Sequence, residues 1–158
     1  MLRLICQEHE FVVGELMSAS KRVIDVARKN VVFGHPDDSL SSVAKKMVDH
    51  WISSVVIVDK GKPVGIVTDG IIFRLIAQGR NPLKLTAKKI MAKPVQTIHM
   101  DTRLEDAEAT FQQSKVKRLV LVDDDGQLKG IVNQKDIDRF AAYSFADRLI
   151  HHRHEILD

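Results

Sequence analysis

Val55-Val56-Ile57-Val58-Asp59, then Gly61, then Gly65-Ile66-Val67-Thr68, is the stretch whose reading decides the fold, because the chain states it a second time. The second statement is Leu119-Val120-Leu121-Val122-Asp123, Gly126, and Gly130-Ile131-Val132-Asn133. A shift of 64 positions lays Val31 on Val95, Asp37 on Asp101, Leu40 on Leu104 and Asp59 on Asp123. One extra turn residue in the second copy makes the shift 65, and Gly65 then lies on Gly130. A repeat of this length is one supersecondary unit, and two such units stacked bury a shared core. Positions where the copies differ become the clue to function.

Working outward, the apolar run of each copy reads as a strand covered on both faces. Asp59-Lys60-Gly61 and Asp123-Asp124-Asp125-Gly126 read as tight turns, since glycine accepts the positive φ they require. The strands Val64 to Val67 and Lys129 to Val132 return as hairpins. Upstream, Val31-Val32-Phe33 and Val95-Gln96-Thr97-Ile98 favour short strands. A helix follows each. Asp38 or Ser39 is the expected cap in the first copy, with Leu40, Val43, Ala44, Met47 and Val48 inward. In the second copy Thr102 and Glu105 have the spacing of a capping box, with Leu104, Ala107, Ala109 and Phe111 inward. A second helix begins near Asp69 and near Lys135. The first of these ends at Gly79 with Pro82 beyond it, and the last is expected from Asp136 to about His154. The expected fold class is α/β (α+β): two β-α-β-β-α units, related by a pseudo-twofold axis and packed sheet to sheet, with a cleft on either side. Sites form readily at such interfaces.

Composition sets bounds. The chain has 158 residues, 44% hydrophobic and 28% charged, with a net charge of +3. That suits small anions and lacks the dense basic stripe of a dedicated DNA binder. Lys84, Lys88, Lys89, Lys93, Lys115, Lys117 and Arg118 supply charge for nucleic acid, but aromatic residues for stacking are scarce. No apolar run reaches the roughly 20 residues of a membrane helix, and Met1-Leu2-Arg3-Leu4-Ile5-Cys6 is charged too early for a secretory signal. The single Cys6 fits a cytoplasmic location.

The order and the residues resemble a tandem pair of CBS domains, the Bateman module. The resemblance is carried by Ile52-Ser53-Ser54 through Asp59 with Gly65 to Asp69, and by Val116-Lys117-Arg118 through Asp123 with Gly130 to Ile137. It divides the chain into an extension (1–22), a first CBS unit (23–80), a linker (81–87), a second unit (88–142) and a C-terminal helical tail (143–158). It implies a stand-alone regulatory module and no enzyme. The implied ligand contains adenosine, with AMP, ADP or ATP ahead of S-adenosylmethionine, and no cofactor is required. It also implies a homodimer through the helices beginning near Asp69 (Ile71, Ile72, Leu75, Ile76) and near Asp136, with a protein partner as a further expectation.

In the family pattern of Gly, two apolar residues, Ser or Thr, two variable residues and Asp, the Asp accepts from both ribose hydroxyls. A carboxylate can take two such donors. The copies diverge here. The second has Asn133 and Asp136, whereas the first keeps Thr68 but has Ile71 at the Asp position, where no hydrogen bond can be accepted. The resemblance places Lys117 and Arg118 on phosphate, Ala27, Asn30, Val31 and Val32 on the base, Ile52 and Ser53 on its other side, and Ile131 on base or sugar. The second cleft, at Thr68, Ile71, Val95 and Gln96, is expected to be weak or empty.

Plainer readings stand beside these. Asp136 also suits the first turn of a helix. Strand alternation need not send Lys117 and Arg118 to the same cleft, and Thr68 and Asn133 can bond their own turns. Ile71 reads most simply as core, and Trp51 as packing, with groove lining as its alternative. His151, His154 and Glu155 share a helical face, but no further ligand stands nearby, so no metal is expected; Cys6 with His9 is a weaker pair still. No nucleophile and base have recognisable spacing. A ligand-free interaction scaffold is the competing function, and a nucleic-acid-associated protein comes after it.

Overall fold

The computed structural model describes residues 21–140. The elements are α1 (Val23–Val26), β1 (Phe33–Gly34), α2 (Leu40–Asp49), β2 (Ser54–Asp59), β3 (Lys62–Thr68) and α3 (Asp69–Ala77). A 3-10 turn (Pro82–Lys84) leads to α4 (Ala87–Ile90), β4 (Thr97–His99), α5 (Leu104–Ser114), β5 (Arg118–Val122) and β6 (Leu128–Asn133). A helix, α6, is described over residues 134–140. The remainder of the expected last helix, the histidines after it and residues 1–20 lie outside the described residues.

The described residues form two three-stranded sheets, ordered β1-β2-β3 and β4-β5-β6. In each, the first pair is parallel and the second antiparallel, with a register shift at Ile57/Val58 in one and at the corresponding Leu121/Val122 in the other. The apolar runs are covered on both faces, as their composition demands. Alternate side chains divide the work. Val55 and Ile57 pack with Leu40, Val43 and Met47 of α2, while Leu119 and Leu121 pack with Leu104, Ala107 and Phe111 of α5 and with Ile137. Val56, Val58 and Val120 meet between the sheets, with Val31, Val95, Leu128 and Ile131 against them.

The segment preceding each repeat is exchanged. Val23 of α1 is fully buried in the core of the second repeat, and Ala87 of α4 in the core of the first. Four bridges tie this exchange in symmetric pairs: Arg22 to Arg103 and Ser39 to Thr86, Arg28 to Ile131 and Ile66 to Ala92.

Several details differ from expectation. The first strands begin later, at Phe33 and Thr97, because Val31 and Val95 pack between the sheets without joining a ladder. Thr102 and Glu105 form no capping box. Arg103 is the N-cap of α5 and makes no side-chain cap bond; the Thr102 carbonyl accepts from the Val23 amide (2.8 Å), and the Leu104 amide donates to the Lys21 carbonyl (3.0 Å). Ser39 does cap α2, its hydroxyl accepting from the Ser42 amide at 3.2 Å. Val48 is 74% exposed and Ala109 is exposed, both outside the stripe facing the sheet. On α3, Ile71 and Ile72 pack on the core and Leu75 is buried, so Phe73 and Ile76 form its exposed apolar face.

Candidate functional site

The Arg28–Ile131 bridge lays the segment before β1 along β6, with Arg28 N donating to Ile131 O (2.9 Å) and Ile131 N to Arg28 O (3.0 Å). Between that segment, the end of α2, the start of β5 and the start of α6 lies a cleft of about 370 Å³. This falls within the usual range for small-molecule sites. Asn30, Val31, Val32, Ile52, Ser53, Arg118, Ile131, Asn133 and Asp136 all line it.

Two expected residues lie elsewhere. Ala27 packs against the second repeat's core. Lys117 is exposed and outside the lining, in the bend before β5, whose first residue Arg118 faces the cleft. Arg28, His50, Trp51, Ser54, Val56 and Val132 complete the walls. Arg28 was findable only through the exchange of segments and His50 only through the way α2 ends, whereas Trp51 answers to its alternative reading, groove lining.

That ending is specific. The Ile52 amide donates to Met47 O (2.9 Å) and the Trp51 amide to Val48 O (3.2 Å), a Schellman pair around the C-cap His50. Trp51 occupies the left-handed position, φ +53°, and is 95% exposed, so it packs on nothing and stands at the cleft's rim.

At the other side of the cleft, Asn133 ends β6 and its Oδ1 accepts from the Asp136 amide at 2.9 Å. This closes the first turn of α6. Asp136 Oδ2 is buried and has no hydrogen-bond partner among the described residues. Buried acceptors are nearly always paired, so such an atom calls for a donor supplied from outside. Arg118 Nη2 donates to Ser53 Oγ across the cleft at 2.6 Å. Among the described residues, neither Arg118 nor Arg28 has a carboxylate partner. The cleft therefore offers one orphan acceptor and the Arg118 guanidinium, with Arg28 also in its lining, a set able to hold a diol and an anion.

The pseudo-symmetric positions offer less. Thr68 Oγ1 is taken up by the Ile71 amide (3.3 Å), so Thr68 caps α3. Ile71 packs on the first repeat's core and Val95 between the sheets, while the Gln96 carbonyl accepts from the Val120 amide. No group of three or more potential metal ligands occurs among the described residues. None of the described helices is long and apolar enough to cross a membrane.

Comparison with known proteins agrees with this architecture. The family profile described as CBS domain matches residues 23–78 and 87–143. An uncharacterized protein of Methanopyrus kandleri is 38% identical over 129 residues, 80% of this chain and 66% of that protein. The L-aspartate semialdehyde sulfurtransferase of Methanocaldococcus jannaschii is 32% identical over 118 residues, 74% of this chain but 22% of the enzyme. The chain thus spans less than two thirds of either relative's own length. A solved CBS domain pair, in complex with 5′-methylthioadenosine and S-adenosyl-L-methionine, is 31% identical with a TM-score of 0.69, covering 77% of this chain and 96% of that one.

Proposed function

Because the chain belongs to the CBS domain family, as a tandem pair, we propose that it is a regulatory module whose cleft at Asp136 binds one adenosine-containing ligand. Asp136 accepts from the ribose hydroxyls, Asn30 to Val32 and Ile52 flank the base, and Arg118, held by Ser53, meets phosphate. The observation that carries this reading is the buried, unpartnered Oδ2 of Asp136 in the wall of a ligand-sized cleft. The Arg118 guanidinium favours AMP, ADP or ATP. Thioether and sulfonium ligands are the second reading, favoured by the 31%-identical neighbour that holds them. A ligand regulates by binding one arrangement of the protein better than another. The exposed Phe73 and Ile76 of α3 give a second copy an apolar face to pair with. A cytoplasmic setting fits the single cysteine.

The test is thermal unfolding with AMP, ADP, ATP, 5′-methylthioadenosine and S-adenosylmethionine, for wild type beside Asp136→Ala. A ligand that binds only the native state stabilises it by about 2.7 kcal/mol at a hundredfold excess over its dissociation constant. We expect a rise in Tm with at least one compound, absent in Asp136→Ala. No rise with any compound would leave the ligand-free scaffold as the function.

A further inference from the structure

We infer that Trp51 is a ligand-contacting residue, whose indole closes over the mouth of the cleft and stacks on the flat base of the bound molecule. The inference rests on the adenosine reading of the cleft. Its own support is independent of Asp136. The position after a helix C-cap with φ near +53° is one that glycine fills without strain and a bulky side chain fills at a cost. The second repeat shows what the fold itself requires there, since the corresponding Lys115, also at φ +53°, is an exposed chain making no ring contact. Trp51 returns nothing to the core, being 95% exposed. A large aromatic face held in a strained turn and left in water contributes little to folding. Yet Trp51 is part of the wall of the cleft, beside His50 and Ile52. An indole there offers what the opposite wall of valines and Ile131 lacks, a π surface able to cover a purine.

The chain contains a single tryptophan, so its emission reports this contact directly. The experiment titrates wild type, Trp51→Phe, Trp51→Lys and Asp136→Ala with AMP and with 5′-methylthioadenosine, read by calorimetry and, where tryptophan is present, by fluorescence. Trp51→Lys borrows the residue the second repeat tolerates, so the fold is kept. We expect wild-type emission to change with the calorimetric midpoint. Trp51→Lys should bind about tenfold or more weakly, and Trp51→Phe within a few-fold of wild type. If wild type binds with no change in emission and Trp51→Lys binds equally well, while Asp136→Ala abolishes binding, the role of Trp51 is overturned and the cleft assignment stands. If neither these two compounds nor ADP, ATP or S-adenosylmethionine binds wild type, both fall.

Discussion

At Asp136 two contributions to stability oppose each other. Its carboxylate gains from the first turn of α6, an effect of about 0.3–1 kcal/mol. The buried, unpartnered Oδ2 costs about 1–3 kcal/mol. The second term is larger, so Asp136→Ala should be more stable than wild type without ligand, by about 1 kcal/mol in urea unfolding, while losing all response to adenosine compounds. Lower stability of the variant would show that Oδ2 is satisfied in the free protein. Arg118 permits a sharper test of ligand class. Arg118→Met should weaken AMP about tenfold or more, a charge-assisted hydrogen bond being worth about 1.5–3 kcal/mol, and leave 5′-methylthioadenosine nearly unchanged by calorimetry. Equal losses would mean that Arg118 acts only through Ser53. Their place in the cleft's lining was legible in sequence because the two copies act as each other's control: Asp136 stands against Ile71, and Arg118 against Ser54. Ala27 and Lys117 were misplaced because a shared segment does not say which side chain turns inward. For Trp51 the sequence leaves packing ahead of groove lining because nothing local marks a left-handed residue when it is not glycine.

At the scale of elements, the hairpins followed from the apolar runs and glycine turns, and the Ser39 cap and the Gly79 stop followed from local residues, whereas the N-terminus of α5 and the outward turn of Val48 and Ala109 did not. The N-terminus of α5 is met by the Lys21 backbone and that of α2 by Leu85, whose carbonyl accepts from the Leu40 amide at 2.9 Å. A capping box cannot announce a partner that distant in sequence. The loop into α2 is held instead by Asp38, whose Oδ2 accepts from the His35 amide (3.1 Å) and Lys46 Nζ (3.0 Å), while Lys46 also donates to Phe33 O (2.9 Å). Partial burial opposes ionisation of Asp38, but the His35 amide and the Lys46 ammonium outweigh it, so its pKa lies below the ordinary carboxylate value. A lowered folded pKa stabilises fully above the unfolded value of about 4 and is lost as pH falls through the folded value. Asp38→Asn should therefore be less stable than wild type at pH 7, and the two Tm curves should converge below about pH 4. Parallel curves would refute the linkage. The end of α5 gives a second prediction. Lys115→Gly relieves a left-handed residue and should stabilise the fold by about 0.5–1 kcal/mol in urea, after the entropy that glycine adds to the unfolded chain.

For the whole molecule, the exchange of α1 and α4 makes each half a component of the other's core. Backbone amide resonances of the two halves and far-UV circular dichroism should therefore report one urea transition. Val23→Ala should shift that transition by about 2 kcal/mol without splitting it. Two separated transitions would show the halves to be independent. The same symmetry, broken by Ile71, predicts about one ligand per chain in calorimetry. The exchange was not legible in the sequence, because the repeat marks two equal units and is silent on which sheet each leading segment joins. It bears on how the protein is made. Arg28 leaves the ribosome about a hundred residues before Ile131, the residue it pairs with, and contacts so far apart along the chain are slow to form. The amino-terminal half therefore emerges first without being able to finish its own business: its leading helix must wait, with Val23 uncovered, until the last strand has been translated. Synthesis order and folding order run against each other in this chain, and the interval between them is when nascent copies are open to trading segments with one another.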